Sequence, residues 1–203
     1  LFEAGAGLGS FYADADYAAA GATLVADPEE IFAKADVILK VKEPLFNEAK
    51  GKHEIDMMHS GQYLITFIHP ASPVNHTMVK NMAAKGVIGL TLDGVPRISR
   101  AQSMDALSSM STCAGYKGIL MGANDISKFM PLIGTAVGVI RPSNVLVIGT
   151  GVAGLRAVAT AKSLGAVVYS ADIRPSANEQ AMSLGAKIVP TGVPEEIAVR
   201  RVG

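Results

Sequence analysis

At 203 residues the chain is long enough for one large domain or two small ones with a substantial core. Hydrophobic residues make up 49% and charged residues 18%, with 21 glycines and no tryptophan, the profile of an α/β protein with much buried strand. Eighteen Lys and Arg balance eighteen Asp and Glu, so the basic surplus that nucleic acid or an anionic membrane would call for is missing.

In chain order, "LFEAGAGLGS" reads as the end of a strand entering a loop, and predicts that the sequence is a piece of a longer protein. Asp14 and Asp16 beside Tyr17 read as solvated carboxylates. Strands are expected over residues 22–26, 36–42, 62–69 and 86–93, from their short β-branched runs. Between them lie a helix over 28–35, a polar segment around 47–60 and a helix over 74–85. Pro28 followed by Glu29 and Glu30 is a good helix start, because proline suits the first turn and carboxylates favour its positive dipole end. This alternation predicts parallel βαβ units.

From Ser99 a long helix is expected to about residue 129, with few β-branched residues and no proline before Pro131. A second βαβ series follows: strand 144–149, helix 152–164, strand 166–172, another helix, and strand 186–190. The expected architecture is two Rossmann-like doubly wound parallel-sheet domains, residues 1–107 and 108–203, joined by that helix. Both are expected to be incomplete, since a nucleotide-binding sheet needs roughly six strands. The single cysteine, Cys113, excludes an internal disulfide and reads as a packing thiol. It makes no zinc pattern with the four histidines. The apolar run 145–161 is broken by glycines and Arg156, and makes a poor membrane span.

"NVLVIGTGVAGLRAVATAKSLGAVVYSAD" carries the most informative motif. Gly149, Gly151 and Gly154 form G-x-G-x-x-G directly after an apolar strand and at the start of a helix. The first glycine permits the tight turn, the second lets the backbone approach a pyrophosphate, and the third lets helix and strand pack closely. The helix N-terminus offers unpaired N–H groups and a favourable dipole. Asp172 ends the next strand eighteen residues after Gly154, where its carboxylate can accept from a ribose 2′-OH. That acid argues for NAD over NADP, because it repels a 2′-phosphate, whereas Arg174 can turn towards one.

The stretch "VPRISRAQSMDALSS" is more polar than its surroundings. At 3–4 spacing on one helix, Gln102, Asp105, Ser108 or Ser109 and Thr112 would share a face, with Arg97 placed to pair with Asp105. Ser99 followed by Gln102 also fits a capping box. Spacing alone leaves a capped surface turn and a working site evenly matched.

"PRISRAQSMDALSSMSTCAGYKG" followed by "VLVIGTGVAGLRAVATAKSLGA" resembles the NAD(H)-binding component, alpha subunit domain I, of proton-translocating NAD(P) transhydrogenase, a family grouped with the alanine dehydrogenases. "EAGAG" and "ILKVKEP" resemble segments of both. The most discriminating part is the loop 97–105, which is similar to the family's Arg-Gln-Asp loop at Arg97, Gln102 and Asp105.

The resemblance implies that NADH binds here and passes hydride directly to NADP⁺ on a partner component, while a membrane component couples the exchange to proton movement. It implies catalytic roles for Arg97, Gln102 and Asp105. It implies NAD(H) contacts from Ser108, Gly149, Gly151, Val152, Ala153, Gly154, Asp172, Ile173 and Arg174. Partners would be the NADP-binding and membrane subunits, the chain a homodimer, and its place cytoplasmic, peripheral at the inner membrane. Such a fragment alone is expected to be inactive. The alternative is an alanine dehydrogenase, in which Lys42 would bind a keto acid and His69 would exchange the proton that accompanies hydride.

Overall fold

Strand β1 (Phe2–Glu3) pairs in parallel with a second short strand across a crossover that contains helix α1 (Asp14–Ala19). The computed structural model describes residues 1–96, 98–194 and 196–197, and the chain forms two units, Leu1–Asp105 and Ala106–Gly203.

In the first unit the remaining elements are β2 (Leu24–Val25), α2 (Pro28–Lys34), β3 (Val37–Leu39), β4 (Phe46–Asn47), β5 (Lys52–His53), α3 (Glu54–Met57), β6 (Tyr63–Thr66), α4 (His76–Lys85) and β7 (Ile88–Thr91). A parallel sheet of order β3-β6-β7 sets Ile38 beside Leu64 and Leu64 beside Gly89. Helix α2 starts as its sequence predicts. Asp27 accepts from Glu29 N at 3.0 Å, Pro28 opens the first turn, and Lys34 sits in the last. The fully buried Gln62 ties this helix to the sheet by donating through Nε2 to the carbonyls of Phe32 and Ala35, at 2.8 and 2.6 Å. Those carbonyls end a helix and have no partner within it. Phe32, Ile38, Leu64, Met78 and Met82 form the core beside them.

The polar segment 47–60 contains regular structure that its composition hides. A hairpin pairs β4 with β5 through a turn with Gly51 at φ 60°, and α3 follows at once, with the His53 ring accepting from Ile55 N. Two-residue strands are too short to show an alternation.

The second unit comprises α5 (Ala106–Asp125), β8 (Ile133–Thr135), β9 (Gly138–Ile140), β10 (Asn144–Ile148), α6 (Val152–Ser163), β11 (Val167–Ala171), α7 (Pro175–Ser183) and β12 (Lys187–Ile188). Strands β10, β11 and β12 make a parallel sheet in that order, with Val145 beside Val168 and Ser170 beside Ile188. Helices α6 and α7 are the crossovers. Val147, Val158, Ala161, Val168 and Ala181 form the core. Fully burying a side chain the size of Val158 contributes about 1.5–3 kcal/mol.

The expected single helix over 99–129 is corrected. Residues Ser99–Met104 form a 3₁₀ helix, the backbone leaves helical geometry at Asp105 (φ −80°, ψ 76°), and α5 runs only from Ala106 to Asp125. Asp105 is of the type that competes with helix interiors and favours helix starts. The expected capping box is not formed either. Ile98 holds the N-cap position of the 3₁₀ segment and no side-chain cap bond is made there.

Candidate functional site

The three glycines after β10 each answer a different local demand. Gly149 sits at φ +85°, in the left-handed region where side chains are strained, and its N–H donates to Ala171 O at 2.8 Å. A Cβ on Gly154 would lie 1.9 Å from the carbonyl oxygen of Gly149, so only glycine lets α6 start this close to the turn. Gly151 is the N-cap of α6, and a Cβ built there meets nothing within 4 Å. Open space therefore faces a helix N-terminus whose first residues are Val152 and Ala153, the setting that an anionic phosphate needs. On this geometry the residues fit the pyrophosphate of a dinucleotide.

Asp172 stands directly after β11 with its side chain 6% exposed. Its Oδ2 accepts from Thr150 N at 2.7 Å and Thr150 Oγ1 at 3.2 Å, which clasps the glycine turn to the neighbouring strand end. The Arg174 guanidinium donates to it at 3.1 and 3.2 Å, and Arg174 N at 2.9 Å. Burial pushes the carboxyl upward. The Arg174 side chain, the N–H groups of Arg174 and Thr150, and the arginine's charge together outweigh that and hold it well below the usual carboxylate range. The backbone carbonyl of Asp172 accepts from Asn178 Nδ2 at 2.9 Å, fixing the start of α7. Ile173, between acid and arginine, is exposed.

Sequence reading missed Thr150, Asn178 and Gly115. Gly115 is buried on α5, and a Cβ there would lie 2.1 Å from the carbonyl oxygen of Ala153. Helix α5 thus rests against the opening turn of α6, beside the glycine loop. A glycine in a helix interior costs about 1 kcal/mol, and that loss of stability was the one available signal that packing required it. Gly115→Ala is expected to destabilise the second unit by about 1–3 kcal/mol through forced separation of the helices. Urea unfolding measures it, and an unchanged midpoint would remove the packing role.

Of the polar segment 95–109, Arg97 lies outside the described residues, so its expected pairing with Asp105 does too. Ala101 is buried and anchors the 3₁₀ turn, leaving Gln102 and Met104 exposed. The expected shared helical face does not extend to Gln102, because the single helix it requires is not formed: the backbone leaves helical geometry at Asp105. Ser108 and Thr112 do share a face of α5, where Thr112 Oγ1 donates to Ser108 O at 2.9 Å. Cys113 is exposed rather than packed.

His69 follows β6 in the left-handed region at φ 48°, unusual for a residue with a side chain. Its Nδ1 lies 2.7 Å from Asp93 Oδ1, and its backbone N–H donates to Asp93 Oδ2 at 2.8 Å. Thr91 Oγ1 also donates to Asp93, at 2.6 Å. Burial raises the Asp93 carboxyl, but the bonds from Thr91 and His69 more than offset it and hold it low. These residues line a pocket of about 750 Å³ with Glu43, Ser72 and Asn75. Lys42 is exposed and is not among the residues lining it, so the expected lysine–histidine pair is not gathered there.

Among the described residues no helix is long and apolar enough to cross a membrane. Residues 1–114 match the family description "Alanine dehydrogenase/PNT, N-terminal domain" and residues 118–201 match "Alanine dehydrogenase/PNT, C-terminal domain". The chain is 40% identical over 189 residues to the first part of NAD(P) transhydrogenase subunit alpha from Rhodospirillum rubrum, covering 93% of this chain and 48% of that protein. It is 36% identical over 175 residues to alanine dehydrogenase of Methanococcus maripaludis, covering 84% of this chain and 44% of that protein. The crystal structure of transhydrogenase from Sinorhizobium meliloti superimposes with a TM-score of 0.79 at 42% identity, over 92% of this chain and 53% of that one. The chain spans about half the length of these relatives. With both halves of the family pattern matched in order, and the glycine turn, its helix and its acid in place, the chain belongs to the alanine dehydrogenase/PNT family.

Proposed function

We propose that this chain is the NAD(H)-binding part of an NAD(P) transhydrogenase alpha subunit, with residues 1–107 and 108–203 as its two domains. The observation that carries the reading is the Gly149–Gly151–Gly154 turn clasped through Thr150 to Asp172. NADH supplies a hydride, two electrons with one proton, that NADP⁺ on a partner component accepts, leaving NAD⁺ and NADPH. No proton is left over, so the residues need no acid–base pair and serve to orient and to exclude water.

In this reading the N–H groups at Val152 and Ala153 face the pyrophosphate, Asp172 receives a ribose hydroxyl, and Ile173 and Arg174 border it. Ser108 hydrogen-bonds on the NAD(H) side. Arg97 and Asp105 hold the loop and the carboxamide, and Gln102 reaches towards the partner's nucleotide. The partners are an NADP-binding and a membrane subunit that couples the exchange to proton translocation. The subunit is a homodimer held at the inner membrane on its cytoplasmic side by those partners.

Mixing the full-length protein with its NADP-binding partner should transfer hydride from NADH to an NADP⁺ analogue. NADH binding without transfer in that mixture would sink the reading. A second reading, alanine-dependent reduction of NAD⁺, is favoured by the His69–Asp93 pair, since a histidine so held presents its other ring nitrogen for proton exchange. The full-length protein given alanine and NAD⁺ without a partner is expected to form no NADH above background. An alanine-dependent rate that His69→Ala abolishes would reverse the ranking.

A further inference from the structure

Asp172 is fully engaged by the protein's own groups. Oδ2 accepts from Thr150 N, Thr150 Oγ1 and Arg174 Nη2, and Oδ1 accepts from Arg174 N and Nε. A carboxylate has about four lone-pair sites, so five donors leave no place for another. A ribose hydroxyl that donates to this acid must displace one of them.

The donors differ in how readily they leave. The two backbone N–H bonds, at 2.7 and 2.9 Å, are built into the glycine turn and the start of α7. The Thr150 hydroxyl bond, at 3.2 Å, comes from a residue 1% exposed, whereas the guanidinium bonds, at 3.1 and 3.2 Å, come from a side chain 35% exposed that can rotate into solvent. We propose that Arg174 is a latch on the ribose subsite, occupying Asp172 until an adenosine ribose displaces it, and that the same arginine lowers selectivity against a 2′-phosphate. The proposal rests on the NAD reading above.

Both halves follow from the pairing. A site open for only part of the time binds with its affinity reduced by that fraction, so the latch weakens NADH binding. A paired Arg174 neutralises the charge that would repel a 2′-phosphate. Once displaced, the guanidinium stays within a side chain's reach of the 2′ position, and its planar fork suits a phosphate.

The experiment titrates NADH and NADPH, separately, against the full-length protein, Arg174→Ala and Arg174→Lys. Arg174→Ala is expected to bind NADH about threefold to tenfold more tightly, as the closed state disappears. It is expected to bind NADPH at least about threefold more weakly, since Asp172 is then uncompensated. Arg174→Lys should fall between the two for both nucleotides, because an ammonium meets the carboxylate at one point only. NADH binding that is unchanged or weaker in Arg174→Ala overturns the latch. If that variant does not fold, Arg174→Lys decides: tighter NADH binding than wild type supports the latch, and equal or weaker binding overturns it. A wild-type protein that binds neither nucleotide overturns the NAD reading instead.

Discussion

Asp172→Asn is expected to weaken NADH binding by roughly 10- to 100-fold and to destabilise the second unit by about 2–3 kcal/mol, the two effects sharing one cause. The carboxylate is the acceptor shared by Thr150 N, Thr150 Oγ1 and the Arg174 fork. An amide of the same shape loses the charge and turns an NH₂ group towards at least one of those donors. Breaking a buried ion pair at one partner costs about 3–5 kcal/mol. The figure here is lower because Arg174 is 35% exposed and solvent screens it. The binding loss is one hydrogen bond to a charged acceptor, about 1.5–3 kcal/mol.

The pH dependence has a definite sign. The Asp172 carboxyl is held below its unfolded value, so its contribution is complete above about pH 4 and is lost as pH falls towards the lower folded value. Wild type should therefore lose more stability than Asp172→Asn on going from pH 5 towards acid, about 1.4 kcal/mol for each pH unit crossed between the unfolded and folded values. Urea midpoints at several pH values and a fluorescence titration with NADH measure both. Parallel acid profiles for the two proteins would show that the clasp carries no stability.

What the sequence showed and what it hid divide along the range of the interactions. The strands around Leu64 and Val147 were legible because parallel strands read as apolar runs whichever face they bury. Exposed Leu146 and Ile148 alternate with buried Val147 in one such run. Helix α2 was legible because its start is written locally, in Pro28 and two glutamates. The glycines were legible for the same reason, as they stand together in the chain, with Gly149 in the left-handed region and Gly154 against the carbonyl of Gly149. The break at Asp105 was hidden because 99–129 carries no proline or β-branched cluster, and a single aspartate is a weak signal against a long run of helix-compatible residues. Thr150 was hidden because its partner lies 22 residues away, and Asp93 because it meets His69 across 24. Gly115 was hidden because its neighbour, Ala153, belongs to another helix. The fingerprint thus located the acid, while its saturation needs Thr150 from 22 residues away as well as the nearby Arg174.

Gln102→Ala is expected to lower hydride transfer in the assembled system by about 100-fold while the Kd for NADH stays within about a factor of two. The separation of the two readouts follows from where the residue stands. Gln102 is exposed in a 3₁₀ turn that Ala101 anchors, and Asp105 N donates to its backbone carbonyl, a bond that alanine keeps. Its side chain can therefore be removed without loosening the turn. In the proposed exchange the barrier is sensitive to ring placement, because a misplacement of about 1 Å costs on the order of 100-fold. A glutamine amide carries both a donor and an acceptor, so it can meet a nucleotide without a charge. Gln102→Asn keeps that chemistry and shortens its reach by one methylene. It should recover little transfer if reach to the partner matters, and most of it if any amide suffices. Transfer that survives both substitutions would remove Gln102 from the site, and loss of NADH binding in step with transfer would make it a nucleotide ligand instead of a group that faces the partner.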